Sequence, residues 1–155
     1  MTDPHSQLIE RFYRAFGEGD GDTMAACYAP DVRFSDPVFP DLRGEQAGAM
    51  WRMLASGPAD VRIELLAHDA DDARGSAHWR AHYVFTETGR PVVNDIQARF
   101  RFEDALIAEH HDEFSFHRWS RQALGPVGLL LGWTPIVRTA VRRKAAARLD
   151  EFTKA

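Results

Sequence analysis

Two long alternating segments, Ala73 to Thr86 and Pro91 to Phe102, face each other across Thr88-Gly89-Arg90 and constrain the fold more than any other feature. Apolar and polar side chains exchange every second residue in both arms. That is the period of strands with one face on a core and one toward water or a partner. Gly89 supplies the turn between them. Glu103-Asp104 then turns into a further alternating run, Leu106 to Phe116, and the shorter Val61 to Leu65 precedes the hairpin. Such a meander needs a second layer over its apolar face. The sequence supplies that layer at its N-terminal end.

Pro4 opens a helix in which Leu8, Ile9, Phe12 and Phe16 recur at helical spacing, until Gly17, Gly19 and Gly21 interrupt it. A short helix is expected from Asp22 to about Tyr28, with Met24, Ala25 and Tyr28 facing in. A short strand, Val32 to Asp36, ends at Pro37. Residues 39–44 are expected as a loop. Glu45 to Ala55 is expected as a third helix, with Ala49, Met50 and Met53 inward, Trp51 beside them, and Gly57-Pro58 closing it. The fold class is therefore α+β: a curved antiparallel sheet wrapped with three N-terminal helices around an apolar pocket. From His117 the pattern changes to a helix over Trp119 to Leu124, a break at Gly125-Pro126, an apolar stretch, and a basic helix from Ile136 to Phe152. We expect one domain over 1–116 and a helical extension over 117–155 packed on it.

Composition removes several function classes. A net charge of −4 and a pI near 5.9 give no basic footprint for nucleic acid. The longest apolar stretch, Val127 to Val137, is broken by Gly128, Gly132, Thr134 and Pro135 and is too short to span a bilayer. Met1 to His5 lacks the charged and apolar regions of a signal peptide, so a cytoplasmic location is expected. The single Cys27 excludes an internal disulfide, fits no zinc pattern and is expected to be buried. Arginine far outnumbers lysine, which suggests a GC-rich bacterial source.

The order helix, short helix, strand, helix and four strands resembles the NTF2-like superfamily, including SnoaL-like cyclases and ketosteroid isomerases, over roughly residues 6 to 116. Phe16-Gly17-Glu18-Gly19-Asp20 resembles its helix-ending segment. Met24 to Val32 resembles the continuation, Ser35-Asp36-Pro37-Val38 a strand-end acid motif, and Phe100-Arg101-Phe102 a string of the penultimate strand. The resemblance implies a homodimer and a pocket for a small apolar or aromatic molecule, served by chemistry without a cofactor. It also implies that Asp36 is a general base, its acidity weakened by burial. The competing reading is an Asp-Pro turn, with the carboxylate on nearby amides. Phe12 and Ala98 stand where isomerases of this type carry their oxyanion donors, and Tyr13 points about 100° away from Phe12 on a helix. Steroid isomerisation itself is therefore not expected.

If Ala98 faces the pocket, period two places Asn94, Ile96 and Phe100 with it, Trp79, Ala81, Tyr83 and Phe85 on the preceding strand, and His110, Asp112 and Phe114 on the last. His78, Arg80 and His82 then lie on the opposite face, the expected dimer surface. His110 and Asp112 lie roughly 6–7 Å apart at the backbone on one side of a strand, close enough for an acid/base pair or for a structural hydrogen bond. His110 and His111 point to opposite faces and cannot chelate one ion, so no metal site is expected. The candidate catalytic residues are Asp36, Asp112 and His110. Asn94, Tyr83, Trp79, Trp51, Phe12, Phe16, Phe85 and Phe114 are candidates for substrate contact. Two functions fit: a cofactor-free isomerase, cyclase, dehydratase or epoxide hydrolase, or a non-catalytic binding or dimerisation module.

Overall fold

The computed structural model describes residues 3–57 and 61–154. Helix α1 (Pro4–Gly17) starts with proline in its first turn, and the Asp3 side chain accepts from the amides of His5 and Ser6 at 2.7 and 3.4 Å. Leu8, Ile9, Phe12 and Phe16 are buried as the spacing requires. Tyr13 is buried as well, because α1 is enclosed on more than one side and packs Tyr13 against Trp79 on the sheet, with ring centres 5.2 Å apart. Helix α2 (Gly21–Ala26) is capped by Asp20, whose carboxylate accepts from the amide of Thr23 at 3.0 Å.

Strand β1 (Tyr28–Ser35) begins four residues earlier than the alternation suggests. Its first residues pair with the last strand through Tyr28 and Ile107. The register then shifts before Arg33, and Pro30 lies in that irregular stretch, where a missing amide costs no ladder bond. The expected loop at 39–44 contains a two-residue strand, β2 (Leu42–Arg43), paired with Phe34 and Arg33. Helix α3 (Glu45–Ala55) buries Ala47, Gly48, Met50 and Trp51, a face turned slightly from the expected one. The expected stop at Pro58 lies outside the described residues, as do Met1 and Thr2.

Strands β3 (Arg62–Ala70), β4 (Arg74–Phe85), β5 (Arg90–Glu103) and β6 (Leu106–Glu113) form the meander. β3 runs five residues past the expected Leu65, because a register shift between Leu65 and Ala67 breaks its alternation while pairing continues to Ala70 and Gly75. Asp104 takes φ 55° in the β5–β6 turn, a conformation aspartate tolerates better than most residues. The six strands lie in the order β2-β1-β6-β5-β4-β3. Every ladder is antiparallel except β1–β6, which is parallel and sets the end of β1 beside the middle of β6.

Helix α4 (Phe116–Leu124) begins three residues before the expected Trp119, with Ser115 capping the amide of Arg118 at 3.2 Å. Helix α5 (Pro126–Leu131) was not anticipated, and α6 (Pro135–Lys154) follows. α4 packs on β5 through a second apolar cluster of Val92, Phe116, Trp119, Ala123 and Val137. α6 reaches back to the start of the fold, where Arg142 Nε donates to the Pro37 carbonyl at 2.9 Å. No described helix is long and apolar enough to cross a membrane.

Candidate functional site

Asp36 follows the last residue of β1. Its Oδ1 accepts from the amides of Val38 and Phe39 at 2.7 and 2.6 Å, and its own amide donates to the Phe39 carbonyl at 2.9 Å. These are the bonds of a tight aspartate turn. Two donated amides favour the charged carboxylate. Burial opposes them and is the larger influence; the neighbouring Asp112 charge adds to it, while Arg142 works the other way. The balance raises the Asp36 pKa to about 7. Among the described residues Oδ2 has no protein donor.

Asp112 ends a buried chain of hydrogen bonds. Trp51 Nε1 donates to the Tyr28 hydroxyl oxygen at 2.6 Å, Tyr28 Oη is 2.7 Å from His110 Nδ1, and His110 Nε2 is 2.8 Å from Asp112 Oδ1. All four side chains are buried. The indole can only donate, so the Tyr28 hydroxyl oxygen accepts from it and keeps its own hydrogen for a further bond, with His110 Nδ1 within reach. With Asp112 as a carboxylate, which can only accept, His110 Nε2 is the donor of the last bond. Every member of the chain is satisfied, and the imidazole is further fixed by stacking on Trp51 (5.9 Å, 11° between planes) and by Phe100 at 4.5 Å. Asp112 is thereby held by one oxygen.

Asp36 and Asp112 line one open cleft of about 490 Å³, together with Ser35, Phe114, Phe116, Arg138 and Arg142. A second cleft of similar volume lies over Arg33, Arg74, Arg99 and Arg101. Arg99 and Arg101 there are paired with Glu113, Glu103 and Glu109. The first cleft holds the acid pair.

Of the residues proposed for substrate contact, Phe114 lines this cleft. Phe12, Phe16, Trp51 and Trp79 pack on one another inside the cone, with ring centres 5.2–5.9 Å apart along Phe12–Trp51, Phe16–Trp51 and Phe16–Trp79. Tyr83 Oη accepts from Trp119 Nε1 at 2.7 Å and Phe85 meets the same indole edge to face, so both join the sheet to α4. Asn94 is buried on β5 opposite Ala81. Cys27 is buried. Two tyrosines hold positions that the sequence pattern does not mark. Tyr28 is the hub of the buried chain, hidden because its strand looked like a helix end. Tyr13 Oη and the adjacent Trp79 Nε1 are buried polar atoms without a partner among the described residues, a fact that only packing reveals. Burial, and then the Asp112 charge, push the Tyr13 pKa well above its ordinary value.

A cone of helices on a curved six-stranded sheet is the architecture of the NTF2-like fold. The SnoaL-like domain profile matches residues 9–110, and the chain belongs to that family. Among solved structures, a protein with a ketosteroid isomerase-like fold from Catenulispora acidiphila, crystallised with trimethylamine, is 14% identical with a TM-score of 0.68, covering 83% of this chain and 97% of its own. A candidate polyketide cyclase from Xanthomonas campestris is 25% identical with a TM-score of 0.65, over 77% and 96%. An epoxide hydrolase from M. tuberculosis is 21% identical with a TM-score of 0.63, over 81% and 93%. No match was found among curated proteins.

Proposed function

We propose that this protein is a cofactor-free acid/base enzyme that moves a proton on a small apolar molecule, with Asp36 as the base. The observation that supports this is an acid whose pKa lies near 7, at a cleft shared with a second, rigidly held acid. A base is most effective when its pKa is near the working pH. Asp36 Oδ1 stays on its two amides while Oδ2 takes the proton from carbon, and the electron pair moves into the adjacent unsaturated or carbonyl group. Asp112, oriented by His110 and Tyr28, is the second acid/base group. The match to a candidate polyketide cyclase, the most nearly identical of the three relatives above, agrees with cyclisation.

The test is deuterium exchange at carbon in a panel of apolar cyclic ketones, followed by proton NMR. Exchange should rise with pH through about 7 and fall by at least about a hundredfold in Asp36→Asn. Exchange undiminished in that variant refutes the assignment. The packed interior rings favour a second reading, a binding module, which saturable ketone binding without exchange would support. We further propose a cytoplasmic homodimer formed through the outer sheet face. That face carries the paired charges His78–Asp95, Arg80–Asp95 and His82–Glu64. A monomer in light scattering would exclude the dimer.

A further inference from the structure

We propose that α5 and the turn after it form a peripheral docking surface for an anionic lipid bilayer. All six large apolar side chains between 127 and 136 are exposed: Val127, Leu129, Leu130, Leu131, Trp133 and Ile136. Leu130 is 67% exposed, Trp133 71% and Ile136 79%, whereas the other exposed large apolar residues are scattered along the chain. A short amphipathic helix on a globular protein normally turns its large apolar residues inward. Here the order is reversed. Glycines face the fold: a Cβ on Gly128 would lie 1.9 Å from the Ser120 carbonyl oxygen, and one on Gly132 would lie 2.8 Å from Ser120 Cβ. The close seat on α4 holds α5 in place with its leucines outward. Contiguous exposed apolar surface of this kind marks an interaction site.

Charge identifies the occupant. Residues 117–155 hold eight Lys or Arg against two Asp or Glu, while residues 1–116 hold eleven against twenty-one. The extension is strongly positive on a negative body, so a negative surface both attracts this end and repels the rest. Arg118, Arg121 and Arg143 are exposed and make no ion pair among the described residues. Arg121 adjoins α5, since its amide nitrogen lies 2.8 Å from the Cβ position of Gly128. Leucine, isoleucine and tryptophan beside arginine are the chemistry of an interfacial anchor. A two-fold contact between copies through this patch would instead set like charges together.

The test is sedimentation of the full-length protein with phosphatidylcholine vesicles, with and without about 30% phosphatidylserine. Binding should require phosphatidylserine and weaken at least about tenfold between roughly 50 and 500 mM salt. Arg118→Gln with Arg121→Gln should weaken it about twenty-five-fold, at about fivefold per charge. Leu130→Ser with Trp133→Ser should abolish it with an unchanged circular dichroism spectrum and Tm, because both side chains are exposed. No vesicle binding by the wild type, or equal binding by the serine variant, overturns the proposal. So does a dimer in light scattering that the serine variant converts to monomer, which would assign the patch to a second copy. The proposal stands apart from the role of Asp36.

Discussion

Replacing Asp36 by asparagine separates its two possible roles by the sign of a pH dependence. Asparagine keeps an Oδ1 for the amides of Val38 and Phe39 and cannot ionise. In the wild type, the folded pKa of about 7 lies well above the ordinary 3.8. Below pH 4 the acid is protonated in both folded and unfolded chains, and its stabilising contribution is fully present. Between pH 4 and 7 the unfolded chain releases the proton while the folded chain retains it, so stability falls as pH rises. Above pH 7 the loss is complete, at most about 4 kcal/mol at 1.36 kcal/mol per pH unit. Water at the partly open edge of Asp36 lowers this to about 2–4 kcal/mol. Urea unfolding of both proteins between pH 4 and 8.5 should therefore show Asp36→Asn gaining on the wild type as pH rises. An ordinary turn-capping carboxylate gives the opposite sign, with the variant losing ground toward high pH. A constant difference, or that opposite trend, refutes burial as the dominant influence on this acid.

Tyr28→Phe should cost about 2–5 kcal/mol in urea unfolding at pH 7, because it strands both Trp51 Nε1 and His110 Nδ1 in the interior. A loss below about 1 kcal/mol would mean that the buried chain contributes little to stability. Burial pulls the His5 pKa down, but bonds to the Asp71 and Asp104 carbonyls outweigh it and leave it raised. The stabilisation is present below pH 6.5 and is lost as pH rises through the folded value. His5→Ala should thus lower Tm more at pH 5.5 than at pH 8.5, and equal losses would contradict the charged form.

The meander was legible because period two persists through β4, β5 and β6, and once the resemblance set Ala98 inward, parity put His110, Asp112, Asn94 and Phe100 on the same face, where all four are buried. Asp36 was legible as a strand-end acid. Its surroundings were not, since its pKa depends on Asp112 and Arg142, which come from distant parts of the chain. Tyr28 was misplaced because its strand character comes from the parallel ladder to β6, a tertiary pairing without a local signature. β3 was cut short at Leu65 because a register shift breaks the alternation there. Phe12, Phe16, Trp51 and Trp79 are buried as their spacing suggests, while Tyr83, Phe85 and Phe114 are partly buried. Whether they surround space or fill it depends on ring-to-ring distances that spacing does not encode.

The family match ends at residue 110, yet the extension beyond it reaches the acid at its centre. Arg142 donates to the Pro37 carbonyl and with Arg138 lines the same cleft as Asp36. Its positive charge lowers the Asp36 pKa while the Asp112 charge raises it. Asp36 lies inside the matched residues, whereas Asp112, Arg138 and Arg142, its charged neighbours in the cleft, all lie beyond them. A relative with the same strand-end acid and no α6 would lack both the Arg142 charge and the cover that α6 gives this cleft. Resemblance across the core can thus carry the fold between such proteins without carrying the proton affinity on which acid/base chemistry depends.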